Sequence, residues 1–466
     1  MFHHPGLRNI GVCRGSRVLG LPVLEFLALL TFVIVGAVAV FYHEPWTDEA
    51  QAWLIARDLG ITGVLHQVGY EGTPPLWYLL LWVLIRLHLP YSLIGAVSLT
   101  LMAAAVYVWL RWSPLPLILR LLAPFAFYFQ YQYAVVARSY ALSTMLAFVA
   151  AALWRAKPVR IMPLAFALAL LAQTNLYGFA MAVGIAMMVA IDYLLIFRKQ
   201  RPARRELLPL LLAATLILGS LVTAKIFATP PADCAYGATK LGERLQRLHL
   251  LNLPGADALF TALRIADPWG KALLWLAMLW LILLKKRRCV LPYLMTMAAM
   301  GLIWWLPQHA GMALAAFLVS LWAAWPEKDT PEVEFWGPAL KASLALLLIL
   351  QLPLTVAAVR NEIRAPYSGA KAAAEFMKGY IGKRPLYAFE SFRAGLLPYF
   401  PRNVFANESD VSFWRWHKRP ETLAARLLTA EMPDDAVVVY RSQMNLRFDL
   451  AEFLLNKRSW RKTHSF

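Results

Sequence analysis

Charged residues are scarce in this chain, 16% of 466 positions, and cysteine is scarcer still, with three. Against 60% hydrophobic residues and a mean hydropathy of +0.54, so little charge cannot coat the soluble domains that this length would otherwise accommodate. Cys13, Cys234 and Cys289 have no metal-ligand spacing, which excludes a cysteine-based zinc module. The topology derived below separates Cys234 from the other two, so no intrachain disulfide is expected. Acids are the rarer sign: 27 Asp and Glu against 46 Lys and Arg leave a formal net charge of +19. That excess lies in short runs between apolar segments rather than along one stripe with exposed aromatics, so nucleic acid is not an expected partner.

What is abundant is apolar sequence of membrane-crossing length. Runs near the ~20 residues needed to cross the hydrocarbon recur, as at 21–42, 91–110, 176–197 and 207–227. The first follows Arg8, Arg14 and Arg17 but is longer than the core of a typical signal peptide, and it reads as a retained span. Run 75–89 decides the orientation of everything after it. It is short and carries Arg86 and His88 near one end, which argues against a span. With it left out and the basic N-terminus in the cytoplasm, Arg111, the group Arg155, Lys157 and Arg160, and the runs 198–205 and 285–288 all fall inside, as the positive-inside rule requires. Counting it would reverse them all.

The expected fold is an all-α polytopic membrane protein of about eleven transmembrane helices, with a small extracytoplasmic α/β domain at its C-terminus. The spans fall near 21–42, 91–112, 114–135, 139–154, 160–175, 176–197, 207–228, 271–284, 289–306, 310–325 and 336–358. Residues 1–20 form the cytoplasmic N-terminus, 21–358 the transmembrane module with its outer loop 43–89, and 359–466 the outer domain. In that domain helical stretches (369–380, 421–430) alternate with strand-like ones (385–389, 436–440). No internal repeat is visible.

Just beyond the first span, His43, Glu44, Asp48 and Glu49 stand with Trp46 and Trp53 at a lipid boundary, where such charge is costly unless solvated or used. A helix start with Thr47 as N-cap and the acids in its first turn accounts for an acid here. It does not account for a second acidic site, Gly69-Tyr70-Glu71-Gly72-Thr73-Pro74-Pro75, in which Glu71 sits in a turn. With 75–89 lying along the interface, Glu71 stays at the depth of Asp48; taken alone, it reads as a solvated loop acid.

An acidic pair soon after span one, an acid-bearing turn and a proline-led interfacial helix together resemble the GT-C glycosyltransferases that use lipid-phosphate sugars. Protein O-mannosyltransferases and lipid A aminoarabinose transferases are relatives of that type. Ala137-Arg138-Ser139-Tyr140-Ala141-Leu142 is similar to the Ala-Arg-x-Tyr-Ala-Leu stretch common in bacterial members. The likeness covers roughly the first 180 residues, and the combination is more specific than any one motif. It implies a GT-C-like module in a bacterial inner membrane with its active face in the periplasm. The implied donor is a polyprenyl-phosphate sugar, and the implied acceptor an envelope glycan, lipid or protein, with Asp48 as the base. Gly72 stands where some relatives have a lysine, and Val136 where many have an acid, so the usual phosphate and metal ligands are not all present.

Transfer from a polyprenyl phosphate begins with a stable leaving group, so it mainly needs a base for the acceptor hydroxyl and positive charge on the departing oxygens. Direct displacement inverts the anomeric carbon. For the phosphate the candidates are Arg138 and Lys225 at outer span ends and His309 in an outer turn. Each has a bland reading too: snorkelling for the two cations, an ordinary turn residue for His309. Tyr140, a neighbour of Arg138, either bonds the phosphate or belongs to the interfacial aromatic belt. His43, Glu49 and Glu71, near the base, are further expected substrate-binding residues, and Asn175 with Tyr177 touches sugar or carrier, or simply shapes an outer hairpin. A divalent cation, Mg or Mn, would bridge Glu71 or Glu49 to the phosphate, although no dedicated oxygen cluster is visible.

A lipid-linked sugar transporter or flippase is the main rival reading, and a non-catalytic envelope assembly protein the second. A transporter would place functional charges near mid-membrane or show paired halves, whereas Glu25, Arg120, Asp192 and Lys225 lie nearer span ends. Trp414, Trp416 and His417 either recognise a glycan by stacking or serve as core and surface aromatics.

Overall fold

The computed structural model describes residues 17–200, 204–235, 287–302, 307–326, 331–389, 391–407, 411–417, 432–433 and 435–439. The chain is mostly helical, and five helices are long and apolar enough to cross a membrane: Val23–Tyr42, Tyr91–Trp112, Leu176–Lys199, Glu206–Phe227 and Gly337–Arg364. At the helical rise, the 20 residues of α1 (Val23–Tyr42) reach about 30 Å, the thickness of the hydrocarbon layer. Ahead of α1 lies a short antiparallel hairpin of β1 (Arg17–Val18) and β2 (Leu21–Pro22).

Between α1 and α5 (Ile94–Trp112) the chain forms α2 (Thr47–Asp58), α3 (Ile61–Glu71) and α4 (Leu76–Arg86). Contacts at the two ends of α5 show where these three lie. Tyr107, towards its C-terminal end, donates to the carbonyl of Leu19 just before α1 at 3.2 Å. Tyr91, at its start, packs on Trp53 of α2 with ring centroids 5.5 Å apart. Neighbouring α1 and α5 therefore run in opposite directions, and the chain between them leaves and re-enters at one end of the bundle. The 11 residues of α4 reach only about 16 Å, which is too short to cross a bilayer.

Next come α6 (Leu117–Leu122), α7 (Tyr140–Arg155), α8 (Ile161–Ala172), α9 (Leu176–Lys199) and α10 (Arg204–Phe227). They are followed by α11 (Leu291–Leu302), α12 (Gly311–Ala324), α13 (Pro331–Ile349) and α14 (Leu352–Arg364). Two expected spans take another form. Run 114–135 is no single helix: α6 gives way to a 3-10 turn at Ala123–Phe125 and a π-helical turn at Tyr128–Tyr133. Pro124 has no N–H to continue an α-helix, and buried Gln130 spends its amide on the Phe32 carbonyl of α1 at 3.1 Å. Gly311 lets α12 close on this broken stretch, since a Cβ there would lie 2.6 Å from that of Tyr128. Run 336–358 instead extends from 331 to 364 and breaks before Pro353, which starts a helix more readily than it continues one. Expected span 271–284 and the end of 289–306 lie outside the described residues.

The two ends of the bundle differ in chemistry. At the end where Leu19 meets Tyr107, charges are paired: buried Glu25 of α1 bonds Arg120 at 2.6 Å, and Asp192 of α9 pairs with Arg288. At the other end lie α2 to α4 and a second apolar core. Ala50, Trp53, Leu54 and Leu81 share that core with Met377, Leu397, Phe400, Phe405 and Phe413. The C-terminal segment contributes α15 (Ala370–Lys378) and a parallel pair, β3 (Leu386–Ala388) with β4 (Val437–Val439). Glu44 accepts the N–H of Lys371 at 2.6 Å, a carboxylate at the positive end of α15 that ties it to the segment between α1 and α2. The expected helix at 421–430 lies outside the described residues.

Candidate functional site

The site is built outward from Glu49. The N-cap of α2 is Trp46, one residue earlier than expected, which puts Glu49 at the third helical position. From there its carboxylate turns back to accept the Trp46 N–H at 3.0 Å, a return bond that also sits at the positive end of the helix dipole. The same fully buried carboxylate accepts the Ala137 N–H at 2.6 Å and bonds His43 Nε2 at 3.0 Å. His43 Nδ1 lies 2.8 Å from Glu362 of α14, which also accepts the Tyr131 hydroxyl at 2.6 Å. Burial alone would pull the His43 pKa down, but the charges and hydrogen bonds of Glu49 and Glu362 outweigh it and carry it to about 10. His43 is thus a buried cation holding two carboxylates from opposite ends of the sequence.

Because Glu49 fixes both the start of α2 and the backbone at Ala137, the residues beside them meet. Arg138 Nη1 lies 2.8 Å from Asp48 Oδ2, an ion pair. Asp48 keeps 38% of its side chain open and Arg138 24%, so the pair faces outward rather than into a sealed core. Burial opposes the Arg138 charge, but Tyr140, Asp48, Tyr78 and Glu49 together more than offset it, and the guanidinium stays a cation. It lies 5.3 Å from the centre of the Tyr140 ring. Tyr140 in turn stacks on Tyr133 at 5.0 Å and sits 5.7 Å from His309. His309 Nδ1 is 2.7 Å from the Tyr177 hydroxyl. Burial, aided by nearby Arg138, lowers the His309 pKa to about 3, so this imidazole is neutral and Arg138 carries the positive charge.

Glu71 approaches from the other side. It does not sit in an open turn: it is the last residue of α3, which Gly72 ends with a left-handed φ of 62°. A carboxylate at a helix C-terminus lies at the wrong end of the dipole, so its place needs another reason. Burial raises its pKa to about 7; hydrogen bonding, that from Gln51 foremost, pulls the other way, and the charge of Asp48 adds to the rise. Gln51 Nε2 donates to it at 2.9 Å. Tyr78 of α4 lies within electrostatic reach of Glu71, Arg138, Asp48 and Tyr140, and burial holds its hydroxyl well above the ordinary range, protonated and able to donate.

Asp48, Glu49, His43, Glu71, Arg138, Tyr140 and His309 are therefore drawn into one neighbourhood. Asn175 borders it in a structural part: its Oδ1 caps α9 by accepting the Tyr177 and Gly178 N–H groups at 3.0 and 2.9 Å. Both of its amide hydrogens go to Ser139 and Ser143, at 3.0 and 2.7 Å. Lys225 is exposed on α10 and, among the described residues, donates to the Thr229 hydroxyl just past the end of that helix, at 3.4 Å. Sequence reasoning missed Gln51, Tyr78, Tyr131 and Glu362. Gln51 was within reach of a helical argument, one turn after Asp48. Glu362 was not, since 319 positions separate it from His43.

Gln51 presents an N–H group to one Glu71 oxygen, at 2.9 Å, where a hard metal would need a lone pair. Among the described residues, no group of three or more His, Cys, Asp or Glu side chains converges on a point.

The C-terminal segment packs against the site. Gln51 exchanges two hydrogen bonds with the backbone of Trp414, each 2.8 Å. Arg57 donates to the carbonyls of Leu397 and Phe400, at 3.3 and 2.8 Å, and to the Ser412 hydroxyl at 2.9 Å. His417 Nδ1 lies 3.0 Å from Asp233, which also accepts the Tyr70 hydroxyl. No protein-family model matches this chain, and neither a curated protein nor a solved structure does.

Proposed function

We propose that this chain is a GT-C-type glycosyltransferase that moves a sugar from a polyprenyl-phosphate carrier to an envelope glycan, lipid or protein on the outer face of a bacterial inner membrane. The observation that carries the reading is the half-open Asp48–Arg138 pair, a carboxylate and a guanidinium 2.8 Å apart, with Glu71 beside them. A base for the acceptor hydroxyl and a cation for the departing phosphate are the two groups this transfer needs. The basic residues Arg111, Arg155, Arg198 and Arg288 belong to the opposite end of the bundle, which the positive-inside rule assigns to the cytoplasm.

In this mechanism the donor phosphate competes with Asp48 for Arg138 and takes up part of the guanidinium. Asp48 is then free to accept the proton of the acceptor hydroxyl as its oxygen attacks the anomeric carbon. The bond from that carbon to the phosphate oxygen breaks on the far side, the polyprenyl phosphate leaves with the electron pair, and configuration inverts. Protonated Tyr78 and neutral His309 border the phosphate as uncharged hydrogen-bonding groups. Glu49 and His43 touch neither substrate; they hold Asp48 and Arg138 in register. No step runs through a metal ion.

A transporter finds less support, since Glu25 and Asp192 are each committed to an arginine at the far end of the bundle. The test is comparative mass spectrometry of envelope glycans and lipids from cells making the native chain or Asp48→Asn at equal membrane levels. A sugar missing only in the variant supports the transferase; an unchanged glycan profile overturns it.

A further inference from the structure

A cavity lies away from this site. It has a volume of ≈ 430 Å³ and is lined by Val35 of α1 and by Thr355, Val356, Val359, Arg360, Ile363 and Arg364 of α14. Two faces of α14 do different work. Thr355 and Glu362, two turns apart, point into the protein, where Thr355 bonds the Phe125 carbonyl at 2.8 Å and Glu362 bonds His43 and Tyr131. The neighbouring face turns Val356, Ile363 and both arginines outward, with Val356 65% and Ile363 45% exposed.

Depth along the helices gives the groove its polarity. Glu362 meets His43, the residue that ends α1, so Arg360 and Arg364 bracket the level at which α1 leaves the hydrocarbon. Val35 lies eight positions before His43, and Val356 six before Glu362, so the apolar wall descends about 9–12 Å below that level. Among the described residues neither guanidinium has an acidic partner within ion-pair distance. A snorkelling arginine needs only water above it, whereas these two, one helical turn apart, line the mouth of a concave apolar slot.

We propose that this groove binds an anionic phospholipid of the surrounding bilayer, its phosphate on Arg360 and Arg364 and one acyl chain along Val35, Val356, Val359 and Ile363. Charge complementarity selects the head group, and the depth of the apolar wall requires a chain below it. This site does not depend on the transferase reading, because the carrier phosphate of that reaction belongs at Arg138, on the other side of Glu362.

The experiment compares spin-labelled phosphatidylglycerol and phosphatidylcholine binding to the full chain in detergent-free nanodiscs. The native protein is expected to prefer phosphatidylglycerol, by about fivefold for each arginine engaged. Arg360→Gln with Arg364→Gln should remove the preference, and Arg360→Lys with Arg364→Lys should retain most of it. Val359→Trp, which fills the slot and leaves the charges, should release both lipids. Undiminished preference in the double glutamine variant, or in Val359→Trp, would overturn the proposal. So would displacement of the labelled lipid by inorganic phosphate, which marks a site for a free anion. Tighter binding of undecaprenyl phosphate in the same slot would overturn it too, since the carrier would then be the occupant.

Discussion

Gln51 and Trp414 are joined as two strands would be: the side-chain oxygen of Gln51 accepts the Trp414 N–H at 2.8 Å, and its amide returns a hydrogen bond to the Trp414 carbonyl at 2.8 Å. The second amide hydrogen goes to Glu71 at 2.9 Å. One side chain on α2 therefore both fastens the C-terminal segment and orients an acid of the site, 363 and 20 positions away in sequence. Arg57, two turns further along α2, repeats the first part of that work on Leu397 and Phe400.

Replacing Gln51 by Leu removes the clamp and leaves the backbone of Trp414 without its partners. Each buried polar group so orphaned costs about 1–3 kcal/mol, enough to loosen the segment without unfolding the bundle. Hydrogen–deuterium exchange should speed up at 411–417 and stay unchanged in α5 and α9. Equal protection in the variant would mean that the apolar core under the segment, not Gln51, holds it.

The His43 cluster should make stability pH-dependent in one direction. A histidine raised from 6.5 to about 10 on folding contributes stability that is fully present below pH 6.5 and lost as pH climbs through 10. Thermal unfolding in detergent should therefore fall on the alkaline side, and His43→Gln should flatten that fall. At pH 7 the same substitution, or Glu362→Gln, is expected to cost about 3–5 kcal/mol, because it leaves a buried charge without its partner. A variant as stable as the native chain at pH 7 would show that Tyr131 and the backbone suffice to neutralise these carboxylates.

Glu71 acts in the same direction, at lower pH. Raised from 4.5 to about 7, it contributes stability present below pH 4.5 and lost as pH rises through 7. Glu71→Gln should consequently raise the unfolding midpoint at pH 8 and leave it alone at pH 4. In transfer assays, the second negative charge beside Asp48 repels an incoming phosphate, so the donor KM should rise above pH 7 in the native chain and stay level in Glu71→Gln. A native KM flat from pH 6 to 8 would remove Glu71 from the donor site.

Much of this arrangement was legible in the sequence because lipid makes charge conspicuous. Asp48, Glu71 and Arg138 stood out as polar residues at the edges of apolar runs, and the shortness and flanking charges of 75–89 told against a crossing. Hydropathy is blind to hydrogen bonding, however, and run 114–135 reads as a span although Pro124 and Gln130 break it. The glycines around Glu71 read as a turn, yet Gly72 is the left-handed stop of a helix that runs through Gly69. The capping role of Asn175 follows from its position before an apolar helix, but the pairings of His43 with Glu362 and Gln51 with Trp414 are made by tertiary folding and leave no local mark.

Arg138 and Asp48 should prove coupled. Alanine at either position removes the same ion pair, so the double variant should lose far less transfer activity than the product of the single losses. Arg138→Lys keeps the charge but loses the planar fork, and the donor KM should rise about tenfold with a smaller change in kcat. Strictly multiplicative losses would place the two residues in separate sites.

The central claim is that Asp48 removes the acceptor proton, and the most direct measurement is single-turnover transfer by purified Asp48→Asn supplied with a polyprenyl-phosphate sugar. Asparagine preserves size and the contact with Arg138 but cannot take up the proton. The account predicts a rate lower by about 10²–10⁴-fold, with donor binding retained. Transfer within a few-fold of the native rate would contradict it.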